Sequence, residues 1–205
     1  MIRGRPKSFD RDVALRAALD VFWDRGYDRA SMATLVGEMG VGRQSVYDTF
    51  GDKRTLFLAA IDRYVAERDV ALDELLAAGR GGAPIDGVGR LLGTLARRAR
   101  ESRRGCLLVN AATEFGGDDD VVAARLAEAR MSLEERLRAS LVAARDAGEL
   151  RAEVDVDAWT TTLVTTLYGA MVQARTPGGD ARADASLAHL WTTLTARPWG
   201  AWDEG

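Results

Sequence analysis

Ser31 to Asp52 reads SMATLVGEMGVGRQSVYDTFGD, and its punctuation decides the fold. Ser31 is placed as an N-cap, because a serine hydroxyl accepts from an otherwise unpaired backbone N–H of the first turn. Leu35, Val36 and Met39 recur at three- to four-residue spacing and give the helix one apolar face. Gly40 follows where a helix-ending residue turns left-handed, a conformation glycine enters without a Cβ penalty. Val41 is the apolar plug of the turn. A second helix then runs through Arg43, Gln44, Ser45, Tyr47, Asp48 and Thr49, with Val46 and Phe50 facing inward. Gly51 ends it, and Asp52 caps another.

Two short helices, a tight glycine-containing turn and a second helix greasy on one side and hydrogen-bonding on the other outline a helix-turn-helix. In DNA binders of this kind the second helix enters the major groove. Arg43 has the chemistry to grip guanine O6 and N7, and Gln44 that to grip adenine N6 and N7. The hydroxyls of Ser45, Tyr47 and Thr49 are natural donors to phosphate. The local pattern also suits a helical hairpin of an ordinary α-protein.

Upstream, Asp10 caps a helix running to about Arg25, whose buried stripe is Ala14, Ala17, Ala18, Val21 and Phe22. Phe9 and Ala14 are placed as a hydrophobic staple. Gly26 stops this helix, and Tyr27 is placed to pack beneath the pair that follows. Residues 1–9, MIRGRPKSF, carry Arg3, Arg5 and Lys7 with no acid. They read either as a basic arm for phosphates or a minor groove, or as a frayed terminus. Downstream, Lys53 opens a long helix through Leu56, Phe57, Ala60, Ile61, Tyr64 and Val65 to about Leu76. A cation in a first turn opposes the helix dipole; a nearby phosphate would account for it, as would simple solvation.

The remaining chain also reads as helical. Residues 79–87, GRGGAPIDG, form a loop, and Val88 to Arg100 an amphipathic helix ending in a basic run. Gly105 to Asn110 is short and apolar, compatible with a strand or a buried helix; the residues after it favour helix. Asp118 to Asp120 form a solvated turn capping Val121 to Ala147. Asp155 or Asp157 caps a helix to about Arg175, apolar over much of its circumference. Ala181 to Ala196 is the last helix. The last two helices are expected to build a dimer interface through Trp159, Leu163, Leu167, Leu187, Leu190, Trp191 and Leu194. Trp199 and Trp202 have no evident place.

The whole sequence bounds the function. Its 205 residues suffice for a core without disulfides or metals. No apolar run approaches the roughly 18 residues a membrane helix needs. No apolar segment follows the basic start, so a secretory signal is not expected. One cysteine and one histidine leave no internal disulfide and little for a metal site or a histidine-based triad. No nucleophile–base–acid set or phosphate loop points to an enzyme, and no cofactor is called for. A cytoplasmic protein is expected. The net charge of −3 hides an asymmetry: residues 1–54 hold ten basic and eight acidic side chains, and the rest eighteen and twenty-three. An acidic body can still meet DNA through a basic end.

The run from Phe22 to Phe57, FWDRGYDRASMATLVGEMGVGRQSVYDTFGDKRTLF, resembles the TetR family of bacterial transcriptional regulators. It carries that family's Phe–x–x–x–Gly–Tyr start, its Thr/Ser-rich second helix, the Gly-Val turn and the Tyr–x–x–Phe–x–x–Lys–x–x–Leu ending. The likeness is strongest over residues 10 to about 60; GCLLVNAATEF resembles a segment of one branch of the family. The resemblance implies an all-α chain of about nine helices. Residues 1–54 would bind DNA, and 55–205, entered through the long fourth helix, would bind ligand and dimerise. It further implies a homodimer on a palindromic double-stranded operator, usually a repressor, released by a small-molecule effector. By position, Arg43, Gln44, Ser45, Tyr47 and Thr49 fall on the recognition helix. Tyr47 and Lys53 match phosphate contacts, with Ser31 or Thr34 adding another.

Two positions depart from the pattern. Gly42 replaces a frequent Ser or Thr, removing a cap or a phosphate donor. Asp48 replaces an aromatic or His. A carboxylate near phosphates is unfavourable unless Arg43 or Lys53 screens it, so acceptance from a cytosine amine is the alternative.

Some relatives place a reactive cysteine in a segment similar to that around Cys106. Nearby arginines and a helix start lower a thiol pKa, whereas unpaired cysteines are often buried and inert. Oxidant or electrophile sensing is therefore one alternative. A helical ligand-binding protein with a vestigial DNA motif is another. Cys106, Asn110, Glu114, Tyr168 and Met171 are candidate pocket residues, each equally suited to ordinary interior.

Overall fold

The computed structural model describes residues 9–77, 82–200 and 202. The proposed basic arm, with Arg3, Arg5 and Lys7, lies outside the described residues. Those described form nine α-helices and no strand. They divide into two compact units, residues 1–64 and 65–205.

The first unit holds α1 (Arg11–Arg25), α2 (Met32–Met39), α3 (Arg43–Phe50) and the start of α4 (Lys53–Leu76). Asp10 caps α1 by accepting from the N–H groups of Asp12 and Val13 at 2.9 and 3.2 Å. Gly40 ends α2 at φ +65°, the left-handed position that glycine fills without strain. Phe22, Leu19, Leu35, Val46, Phe57 and Ile61 close the core of this unit. Tyr27 joins it, 5.0 Å from the Phe57 ring and 6.2 Å from Phe22. Phe9 lies beside Phe50, ring centres 6.4 Å apart.

α4 is one unbroken helix of 24 residues, about 36 Å long. The boundary between the two units falls within it, after Tyr64.

The second unit holds the rest of α4 with α5 (Pro84–Glu101), α6 (Leu107–Phe115), α7 (Asp120–Asp146), α8 (Val156–Gln173) and α9 (Gly179–Leu194). Its core is a continuous apolar cluster through Leu72, Leu92, Leu137, Leu163, Leu187 and Trp191. The ambiguous stretch after Gly105 is helix α6. Asp119 caps α7 by accepting from Val121 and Val122, and Asp155 caps α8.

Three expectations are corrected here. α5 begins at Pro84, four residues before Val88. Proline suits the first position of a helix because its missing N–H has no intrahelical partner there anyway, and Asp86 accepts from the Ala83 N–H at 3.2 Å. The α9 helix runs Gly179–Leu194 and so is set two residues earlier than expected at each end.

The third concerns the dimer residues. Leu163, Leu167, Leu187, Leu190, Trp191 and Leu194 are buried within the single chain, none more than 8% exposed. A side chain already out of water has nothing left to bury against a partner, so these six are core. Trp159 is half-buried.

A polar network fastens the distal half of α4 to α7. Arg136 donates to both carboxylate oxygens of Asp73, at 2.7 and 3.3 Å, and lies 3.5 Å from Asp69. Asp69 also accepts from Ser132 and Arg68, and Arg68 reaches the Ala129 carbonyl at 2.9 Å. The Arg136 hydrogen bonds hold the Asp73 carboxyl below its ordinary pKa of 3.8. A carboxylate with a lowered folded pKa contributes fully above its unfolded value and loses that contribution as pH falls through the folded one. Asp73→Asn is therefore expected to lower Tm near neutral pH and to match the wild type well below pH 3.8. A melting series across that range checks it.

Candidate nucleic-acid interface

α3 carries the site, and α2 and α4 hold it in place. Val46 and Phe50 anchor its inner face at 0% and 4% exposure, so Arg43, Gln44, Tyr47, Asp48 and Thr49 stand outward; Ser45 is half-buried. Gly42 is the N-cap and supplies no side-chain bond, as expected from the missing Ser or Thr.

The outward residues pair one helical turn apart. The Arg43 guanidinium lies over the Tyr47 ring, 5.7 Å from its centre, and donates to the phenol oxygen at 3.5 Å. Gln44 Nε2 donates to Asp48 Oδ1 at 2.8 Å. Asp48 is thus engaged by a neutral amide, a partner other than the Arg43 or Lys53 considered from the sequence. The spacing of four between Gln44 and Asp48 was the available signal, since such pairs face each other on a helix.

The helix before contributes hydroxyls. Ser31 Oγ accepts from the Thr34 N–H at 3.1 Å and lies 2.9 Å from Thr34 Oγ1. At the start of α4, Lys53 Nζ donates to the Asp28 carbonyl at 3.3 Å and sits 4.2 Å from the centre of the Tyr27 ring. That contact offsets its unfavourable place against the helix dipole without calling on a phosphate. Asp52 caps α4 by accepting from the Thr55 N–H at 2.7 Å, and the bonds from Thr55 lower its pKa.

The candidate pocket residues of the second unit are only partly brought together. Cys106 is the half-buried N-cap of α6. A Cβ on the preceding Gly105 would lie 2.9 Å from the Met171 carbonyl, so this corner is packed tightly on α8. Burial raises the Tyr168 pKa. Met171 is buried on α8, three residues after Tyr168. Asn110, half-buried, donates its amide to the Arg104 carbonyl at 3.0 Å. Glu114 is exposed near the end of α6. A groove of about 490 Å³ lies elsewhere, lined by Arg151, Glu153, Val154, Trp159, His189 and two threonines; none of the five pocket candidates lines it.

With this geometry in hand, comparison with known proteins decides the family. Residues 14–60 match the family model for bacterial regulatory proteins of the tetR family, and residues 90–190 that for the tetracyclin repressor-like C-terminal domain. The chain belongs to the TetR family. This TetR-family chain is 34% identical over 152 residues to the uncharacterised helix-turn-helix-type transcriptional regulator YezE of Bacillus subtilis, covering 73% of this chain and 77% of that protein. It is 31% identical over 176 residues to the transcriptional repressor ComR of Escherichia coli, covering 84% and 83%. A solved structure of the TetR-family regulator CifR, a cysteine-substituted form bound to 26-base-pair operator DNA, aligns with a TM-score of 0.79 at 32% identity. The alignment spans 93% of this chain and 100% of that one.

The TetR-family assignment makes this chain a DNA-binding transcriptional regulator and not an enzyme. Among its described residues no helix is long and apolar enough to cross a membrane.

Proposed function

We propose that this TetR-family chain is a ligand-responsive repressor that binds a palindromic operator as a homodimer and is released by a small-molecule effector. The observation that carries it is the outward face of α3: Arg43, Gln44, Tyr47 and Thr49 exposed on a helix anchored by Val46 and Phe50. Arg43 and Gln44 would read base edges. Ser31, Thr34, Ser45, Tyr47, Thr49 and Lys53, with the arm residues Arg3, Arg5 and Lys7, would hold phosphates. Residues 1–54 would form the DNA-binding part and 55–205 the ligand and dimer part. ComR is a repressor, and CifR was solved on operator DNA, both in line with this reading.

The dimer surface is reassigned to the outward faces of α8 and α9. Ala158, Thr162, Thr165, Gly169 and Val172 line α8, and Ala185, Ser186, His189 and Thr193 line α9, all exposed. Apart from His189, and Arg182 one turn before Ser186, this stripe carries no ionisable side chain, whereas the outward face of α7 carries Glu128, Arg130, Glu135 and Arg138. Depletion of charge marks the core of an interface. Thr165→Glu is expected to leave helix content unchanged, to convert a species of twice 22.2 kDa to one of 22.2 kDa in sedimentation, and to weaken operator binding at least tenfold. A variant still dimeric, or a monomer that binds DNA as tightly, would contradict the dimer reading.

In the proposed switch, effector binding in the second unit biases α4, the helix common to both units, and so changes the separation of two recognition helices. DNA requires about 34–36 Å or a multiple of it. An effector works only through unequal affinity for the two states. One that binds without changing operator affinity would refute the switch.

A second reading makes Cys106 the sensor. It draws on the place of Cys106, half-buried at the start of α6 beside a Gly105 packed on α8, and on a relative solved with its cysteines substituted. Loss of operator binding on exposure to peroxide or an electrophile, abolished in Cys106→Ser, would establish it; an equal response in Cys106→Ser would remove it.

A further inference from the structure

The outward face of α3 is split into two lanes of opposite hydrogen-bonding character. Arg43 and Tyr47 form a donor lane, guanidinium stacked on ring and bonded to its hydroxyl. Gln44 and Asp48 form the other, joined by the 2.8 Å bond from Gln44 Nε2 to Asp48 Oδ1. A carboxylate only accepts, so this bond fixes the amide orientation: the NH2 end of Gln44 is turned toward Asp48 and one of its two N–H bonds is taken. What the lane has left to offer is Gln44 Oε1, Asp48 Oδ2 and at most one N–H.

Resting on the reading of α3 as the recognition helix, we infer that Asp48, with Gln44 held against it, is a specificity-determining residue that selects an amino base over a keto base. In the major groove adenine and cytosine present an exocyclic amine at the position where guanine and thymine present a carbonyl oxygen. An amine donates into the acceptor lane. A guanine O6 or thymine O4 at the same place meets oxygen with oxygen, and desolvated acceptors left without a donor are costly. The discrimination is therefore between a base pair and its inversion, G·C against C·G or A·T against T·A. Arg43, in the neighbouring lane, takes the opposite preference and grips guanine. Asp48 carries a second consequence. An anion on the DNA-facing surface repels phosphate wherever the chain sits, so it lowers non-specific binding while sharpening specific binding.

The test is selection from a randomised duplex library with the full-length wild type, Asp48→Asn and Gln44→Ala, followed by anisotropy on the winning duplex and on its single-pair inversions. Asp48→Asn keeps the shape but adds an N–H donor, and as an exposed change it should leave Tm and helix content intact. The inference expects the wild type to require an amino base at one position per half-site, with inversion of that pair costing roughly fivefold to a hundredfold in affinity. In Asp48→Asn that cost should fall to within about twofold while affinity for scrambled DNA rises. Gln44→Ala should lie between the two. An unchanged sequence preference in Asp48→Asn, with or without a change in overall affinity, would overturn the role of Asp48 while leaving α3 as the recognition helix. A wild type that enriches no sequence would overturn the recognition-helix reading, and this inference with it.

Discussion

Arg43→Ala is expected to weaken specific operator binding by about 2–6 kcal/mol, and to do so mainly by erasing sequence preference. A bidentate arginine–guanine contact is worth about 1–3 kcal/mol of discrimination, and the proposed dimer makes it twice. The side chain is exposed and belongs to no core, so the fold should survive the change. Tyr47 tightens the argument, because its ring supports the guanidinium and its hydroxyl accepts from it. Tyr47→Phe keeps the ring and removes the hydroxyl, so it should cost less than Arg43→Ala and act similarly on specific and scrambled DNA, as a phosphate contact does. Anisotropy with both duplexes separates the effects. If Arg43→Ala bound operator and scrambled DNA with the wild-type ratio, the vestigial-motif alternative would gain and the regulator reading would lose its base-reading residue.

The second large effect concerns stability. Trp202, 9% exposed, packs edge-to-face on Trp191 and Trp199 with ring centres 4.9 and 4.7 Å apart. Its ring lies against α5, where Gly89 and Gly93 leave room for it: a Cβ at those positions would fall 2.6 and 2.8 Å from ring atoms. The tail is held in place by the Trp191 indole N–H donating to the Pro198 carbonyl at 2.8 Å and by Arg197 pairing with Asp86 at 2.6 Å. Trp202→Ala should therefore cost about 3–5 kcal/mol, the range for emptying a packed aromatic site.

Gly89→Ala provides a sign test of the same packing. In the wild type it must displace a ring that Trp191 and Trp199 confine, and it destabilises. In the Trp202→Ala background the obstacle is gone, and the substitution should stabilise by up to about 1 kcal/mol through helix propensity alone. Denaturant unfolding of the four proteins measures both; the same sign in both backgrounds would contradict the packing described.

How much of this could be read in the sequence depends on whether the signal is local. Ser31, Gly40, Gly51 and the spacing of Val46 and Phe50 define α2 and α3 through caps and periodicity, which need no knowledge of distant neighbours. The same holds for Asp10, Asp119 and Asp155. The start of α5 was masked by its own glycines: GRGGAPIDG reads as loop until Gly87 is seen packed against Leu76, where a Cβ would lie 2.7 Å from the Leu76 carbonyl. Trp202 has no local signal, because its receiving surface is absence, two glycines more than a hundred residues earlier. For the apolar residues of α8 and α9, periodicity gives a face without saying whether this chain or another covers it. The Gln44–Asp48 bond lay within reach of spacing rules, yet its consequence, an oriented amide, required the geometry.

The central claim is sequence-specific DNA binding through α3, and its most direct measurement is fluorescence anisotropy of the full-length protein on labelled DNA from immediately upstream of its own gene, titrated against salt with scrambled DNA as competitor. Tight binding that survives the competitor is predicted, with a log–log salt slope of about −5 to −9, as roughly six to ten phosphate contacts require. Weak binding that scrambled DNA competes away equally, persisting when the protein is offered a random-sequence pool, would contradict the account.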